Sequence, residues 1–201
     1  TALGFTAYGL VFDVTNRQQL DQAINEFEAT TGAIDILINN AGIQLRAPLE
    51  DFETDDFDHL MVTNVNSVFY VSQTIARHMI RRGEGKIINI ASVQSALARP
   101  TIAPYTASKG AVSNLTKGMT TDWAKYGIQI NALAPGYFET PLTEALVNDT
   151  QFNTWLCNRT PSNRWGKLDE LIGACIFLSS NASSFVNGQT IYVDGGITAC
   201  I

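Results

Sequence analysis

The sequence predicts an α/β protein built on a doubly wound parallel sheet, and three observations carry that prediction. Short apolar runs without polar alternation, such as KIINIA at 86–91, alternate along the chain with longer stretches of helical character. Strands of this type are buried on both faces, the condition of a parallel sheet with helices on either side. With 45% hydrophobic and 16% charged residues over 201 positions, the chain can build one substantial core, read as a single domain spanning residues 1–201.

The first apolar run, residues 7–14 (AYGLVFDV), reads as a strand ending in Asp13 and Val14. Thr15 and Asn16 are cap residues for a helix over 18–30, which Gly32 closes. Residues 34–39 (IDILIN) form the next buried strand and lead into Asn40, Ala41 and Gly42. A long helical region follows over 54–82. Thr54 caps it, Asp55 and Asp56 suit the positive end of its dipole, and Arg77, Arg81 and Arg82 suit the other end. The strand 86–91 leads through Ser92 and a loop into a helix from about 105 to 126, stopped by Gly127. A strand over 128–133 then ends at Pro135 and Gly136. Residues 137–166 show no clean periodicity over much of their length and read as a mobile substrate loop with short helices. A helix over 168–180 and a strand over 190–193 complete the alternation. In such a sheet, ligands occupy the crevice beyond the carboxyl ends of the strands.

A formal net charge of −6 and a pI near 4.8 argue against nucleic acid or an anionic membrane as partner, although they allow a small basic pocket. Cys157, Cys175 and Cys200 are widely spaced and form no metal-ligand or CxxC pattern, which suits a reducing compartment. No run approaches the roughly 18 apolar residues of a membrane helix. No basic-then-apolar signal opens the chain either, so a soluble cytoplasmic protein is expected.

The chemistry concentrates between Ser92 and Lys109. Tyr105 and Lys109 are four apart, so a helix stacks them on one face and brings an ammonium toward a phenol. A free tyrosine, with a pKa of about 10, is a poor base near neutrality. The cation is expected to favour its ionised form. Ser92, at the end of the preceding strand, offers a hydroxyl to polarise a carbonyl that the phenol protonates. A hydrolase reading of Ser92 is weak, because there is no G-x-S-x-G turn and the only histidines, His59 and His78, fall in the long helix.

Ser92, Tyr105 and Lys109 in this order, together with NNAG at 39–42, resemble the short-chain dehydrogenase/reductase family. The resemblance implies a Rossmann-like sheet, NADP or NAD as cofactor, a small-molecule substrate, and a homotetramer formed through the long helices and the segment 190–201. It also implies roles. Ser92 polarises the carbonyl, Tyr105 is the acid/base, Lys109 tunes it, and Asn64 in VTNVNS holds a water that links the lysine to solvent. Tyr105 and Lys109 also contact the cofactor. Asp13 and Val14 face the adenine, although Asp13 reads equally well as a helix-start acid. Asn40, Ala41 and Gly42 leave room for a ribose, and Pro135, Gly136, Phe138 and Thr140 match the segment that holds the nicotinamide carboxamide.

Within the family, NNAGIQLRAPLEDF, ASVQSALARPTIAPYTASKGAV and NRTPSNRWGKLDELIGACIFLSS are similar to the branch that interconverts D-gluconate and 5-keto-D-gluconate. A sugar acid needs a carboxylate anchor. Arg46 is the candidate, since a guanidinium binds a carboxylate through two hydrogen bonds; a plain surface arginine is the equal alternative. Gln94, Arg99 and Tyr137 are weaker substrate candidates. Other sugar, polyol or 3-ketoacyl reductases of the family, or a catalytically silent assembly partner, remain open. The family's glycine-rich turn, G-x-x-x-G-x-G, does not occur in this sequence. The sheet is therefore expected to lack its first two strands and first helix, with a gap of roughly 14 Å, three spacings of about 4.8 Å, between strands 7–14 and 34–39. The same segment decides between NAD and NADP.

Overall fold

The computed structural model describes residues 4–141 and 143–200. Ile201, at the end of the segment expected to join subunits, lies outside them. Four parallel strands, β1 (Ile36–Asn39), β2 (Gly85–Ile90), β3 (Ile128–Pro135) and β4 (Thr190–Val193), pair in sequence order. Their register aligns Asn39 with Asn89 and Asn89 with Ala132, which brings the carboxyl ends of the first three strands to one level.

Alternate residues of these strands point to opposite faces, and helices cover both. Leu37, Ile87, Ile130 and Ala132 pack on one face against Leu20 and Ile24 of α1 (Arg17–Thr30). Val71, Ile75 and Met79 of α3 (Ser67–Arg82) and Val112 and Met119 of α4 (Ala103–Trp123) complete that core. On the other face Ile88 and Leu133 pack against Leu178 of α7 (Asp169–Ser179). The doubly wound α/β architecture is thus present, with the apolar runs buried as their composition requires.

One strand does not form. Residues 7–14 are extended without any ladder, and Phe5, Tyr8 and Val11 are exposed. Only Phe12 and Val14 touch the first core. The physical reason is that an apolar run becomes a strand only with a hydrogen-bonding neighbour, and no described strand lies within ladder distance of it. The outer edge of β1 shows the same vacancy in Ile36 and Ile38, each 44% exposed.

The long helix over 54–82 is continuous but not uniform. Its first part, α2 (Thr54–Met61), starts with Glu53 at the capping position and no side-chain cap, one residue before the expected Thr54. A π-helical turn, Val62–Asn66, then joins it to α3. Asn64 sits inside that wider turn.

Residues 137–166 hold the short helices expected of them, packed in a cluster shared with Val93 and Ile197. The short α5 (Glu144–Val147) and α6 (Thr150–Arg159) fold over Leu156 and Trp165. The Trp165 indole donates to Asn153 Oδ1 at 2.7 Å and meets the Tyr137 ring edge-on at 5.8 Å.

Gly127, the expected helix stop, adopts φ +80°, and a Cβ there would lie 2.1 Å from the carbonyl oxygen of Gly83. Gly127→Ala is expected to destabilise the fold by about 1–3 kcal/mol through left-handed strain and this clash. Urea unfolding measures it; an unchanged midpoint would show that the 83–84 turn gives way freely.

Candidate active site

The site is built where strand ends meet helices. Asn39 donates to Asn89 Oδ1 and to Ser72 Oγ, each at 2.8 Å, and Asn89 donates to Thr116 Oγ1 at 2.9 Å. This buried amide chain ties the ends of β1 and β2 to α3 and α4, so the turns that follow the strands are held in fixed relation. Asn39 thus bonds a neighbouring strand end, as its place in NNAG suggested.

Ser92 leaves β2 in an extended conformation, and its hydroxyl accepts from the Gln94 amide at 3.2 Å. The short 3₁₀ turn that follows is stapled to α4 by Ser95, whose hydroxyl donates to the Lys109 carbonyl at 2.8 Å. This staple places Tyr105, in the first turn of α4, where its phenol hydrogen-bonds the Ser92 hydroxyl. One helical turn on, Lys109 is buried; its Nζ lies 5.7 Å from the Tyr105 ring centre and donates to the Ile90 carbonyl at 2.7 Å. The structure thus brings Ser92, Tyr105 and Lys109 together at the end of β2 and the start of α4.

The electrostatics differ from the sequence expectation. Burial pushes the Tyr105 phenol above its usual range, with the Ser92 hydrogen bond pulling the other way. Burial also brings the Lys109 ammonium down to about 8. Losing water costs both charged forms more than their mutual attraction returns at this separation, so the phenol keeps its proton. This group is poised as an acid.

Asn64 stands behind the turn after β1. Its Oδ1 accepts from the Ile43 amide at 2.8 Å, while its Nδ2 donates to the Ile43 carbonyl at 2.9 Å and to Ser108 Oγ at 3.1 Å. The side-chain amide expected in a water relay is thus occupied by protein partners and fastens the 40–43 turn to the helices. Ser108 and the Ile90 carbonyl had no signal in the sequence, since their importance arises only from this convergence.

A cavity of about 280 Å³ lies over these groups. Ser92, Tyr105 and Lys109 share its wall with Arg46, Gln94, Arg99 and Tyr137. Asn40, Gly42, Pro135, Gly136, Phe138 and Thr140 also line it. Asp13, Val14, Ala41 and Asn64 do not. Val14 borders a second hollow with Asn40 and Ala41. The Asp13 carboxylate accepts from the Thr15 amide at 2.8 Å and its hydroxyl at 2.7 Å, bonds that hold it below the usual carboxylate range. These bonds hold Asp13 in the turn just ahead of α1, a position that suits either of its two readings.

The residues present fit a nicotinamide cofactor along the strand ends. A Cβ on Gly42 would lie 3.3 Å from Asn64 Oδ1 and 3.9 Å from Lys109 Nζ, so the bare glycine keeps the turn open toward the ammonium. Gly136 has a different reason, because a Cβ there would meet the Asp194 backbone at 2.7 Å. Phe138 is buried against Gly166, and Thr140 Oγ1 lies 3.0 Å from Thr143 Oγ1.

Comparison with known proteins agrees with this geometry. Residues 1–198 match the family model described as enoyl-(acyl carrier protein) reductase. Gluconate 5-dehydrogenase of Gluconobacter oxydans (strain 621H) is 63% identical, over 98% of this chain and 79% of that protein. The 5-keto-D-gluconate 5-reductase of Escherichia coli (strain K12) is 50% identical, over 98% and 78%. A crystal structure of a gluconate 5-dehydrogenase from Burkholderia cenocepacia J2315, in complex with NADP and tartrate, superposes with a TM-score of 0.98 at 65% identity, covering all of this chain and 78% of that one.

Proposed function

Since the chain belongs to the short-chain dehydrogenase/reductase family, we propose that it interconverts D-gluconate and 5-keto-D-gluconate with NADP or NAD. The observation that carries the reading is a single cavity whose wall holds the Ser92, Tyr105 and Lys109 cluster together with Arg46. The Gluconobacter and Escherichia coli relatives are named for this substrate pair, and the Burkholderia relative holds NADP.

When bound, the reduced nicotinamide supplies a hydride to the ketone carbon. The Ser92 hydroxyl donates to the carbonyl oxygen, and the Tyr105 phenol gives it a proton as negative charge develops. Lys109 lies beside the phenol and favours the charge it acquires on losing that proton. Asn64 holds the 40–43 turn next to the ammonium. Asn40, Ala41 and Gly42, with Pro135, Gly136, Phe138 and Thr140, form the cofactor wall, and Val14 with Asp13 marks its far end. Arg46 anchors the substrate carboxylate, while Gln94 and Tyr137 meet its hydroxyls. In the oxidative direction the same groups act in reverse.

The proposal includes a homotetramer in the cytoplasm. Exposed Leu168, Ile172 and Ile176 along α7, and Phe69 on α3, support a buried subunit face, and three free thiols suit a reducing compartment. Among the described residues, no helix is long and apolar enough to cross a membrane.

The test is NADPH-dependent reduction of 5-keto-D-gluconate by the full-length protein. Turnover is expected, and Arg46→Ala is expected to raise the KM roughly 10- to 100-fold by removing a charged hydrogen bond. Failure to reduce this ketone while another sugar or acyl ketone is reduced would overturn the assignment. An unchanged KM would remove Arg46 from the substrate site.

A further inference from the structure

We infer that Arg99 is the second half of a carboxylate-binding fork with Arg46, and that this pair makes the pocket select anionic ketones over neutral polyol-type ones. The inference rests on the dehydrogenase reading above and gives it a specificity determinant. Sequence spacing marked Arg99 only as a weak candidate. The structure gives it a larger part.

The loops that carry the two arginines are stitched together. The Ala47 amide, next to Arg46, donates to the carbonyl of Thr101 at 3.2 Å. Thr101 adopts φ +70°, a left-handed conformation rare for a β-branched residue, and so turns the 99–102 segment toward the loop after β1. Such strain persists only where surrounding contacts hold it, and it recurs at ligand clamps.

Both guanidiniums face the cavity without an anion. Arg17, Arg82 and Arg164 each meet a carboxylate at 2.8 Å or less, whereas Arg46 and Arg99 form no ion pair among the described residues. Arg46 only donates to Gln44 Oε1, at 3.2 Å. Arg99 lies over the Phe152 ring, 5.5 Å from its centre, and its Nε is buried without a hydrogen-bond partner. The two cations are close enough that Arg99, after desolvation, lowers the affinity of Arg46 for its proton.

Arg46 is exposed and Arg99 half-buried, and an anion that reached both would give each the partner it lacks among the described residues. A carboxylate supplies acceptor sites for both forks at once. Gln94 adds a polar complement. Its Nε2 donates to the Tyr137 hydroxyl at 3.3 Å, which leaves its buried Oε1 without a donor and free to accept from a substrate hydroxyl. A neutral polyol would leave both guanidiniums without an anion, and so binds less well than an anionic ketone.

The experiment compares wild type, Arg99→Gln and Arg99→Lys in the full-length protein with NADPH bound. Tartrate binding is measured by calorimetry with threitol as its uncharged counterpart, and KM and kcat are measured for 5-keto-D-gluconate. Arg99→Gln is expected to weaken tartrate at least 10-fold and to raise the KM for the keto-acid in parallel, with a much smaller change in kcat. Arg99→Lys, which keeps the charge but not the fork, falls between. A merely structural role would weaken tartrate and threitol alike, and that result overturns the inference. So does unchanged tartrate affinity in Arg99→Gln. If wild type fails to reduce 5-keto-D-gluconate, the substrate assignment falls, yet tartrate binding still decides the role of Arg99.

Discussion

Tyr105→Phe is expected to lower kcat for ketone reduction by about 10²–10⁴-fold, the range a positioned general acid contributes. The substitution removes one oxygen and keeps the ring. The Ser92 hydroxyl that loses this partner still bonds the Gln94 amide, so the loop after β2 retains its turn. The stability cost is that of one hydrogen bond, on the order of 1 kcal/mol. Cofactor affinity should change far less than kcat, because the other residues assigned to the cofactor are untouched. What disappears is the phenol bonded to Ser92, and with it the proton that neutralises the oxygen left by hydride addition. Stopped-flow measurement of NADPH oxidation separates this step from binding. A variant that keeps more than a tenth of wild-type kcat would show that Tyr105 is not the acid, and Ser92 or a water would have to take that role.

The residues that carry this argument differ in how far the sequence exposes them. The strands 86–91 and 190–193 were legible because an uninterrupted apolar run in a chain of this length has few other places to be buried. The run 7–14 has the same local character and forms no strand, since pairing depends on a neighbour far away in sequence. Tyr105 and Lys109 were legible as a pair because helical spacing fixes which residues share a face. Their protonation was not, because burial belongs to the assembled core and works against both charged forms. Asn64 was legible only through the resemblance, because its three bonds to Ile43 and Ser108 join segments 21 and 44 residues apart. Arg99 shows the same limit: its pairing with Arg46 rests on the contact between Ala47 and Thr101, which no local pattern encodes.

Lys109→Met is expected to abolish the pH break expected of wild type near 8 and to reduce both reaction directions by about 10²–10⁴-fold at pH 7. Burial holds the Lys109 ammonium at about 8 and the Tyr105 phenol above its ordinary value, so the pair loses its first proton as pH rises through about 8. Reduction needs the fully protonated pair. Its kcat/KM should therefore be flat at low pH and fall above 8. Oxidation needs the pair with one proton removed, so its kcat/KM should rise with pH and level off above 8. The ratio of the two then follows proton concentration, as the overall equilibrium requires, and for that reason a variant loses both directions equally at a given pH. Without the cation the phenol has no charge to favour its ionised form, and the break moves beyond 10, out of the working range. A Lys109→Met enzyme that still breaks near pH 8 would place the titrating proton on another group, and the tuning role of Lys109 would fall with it.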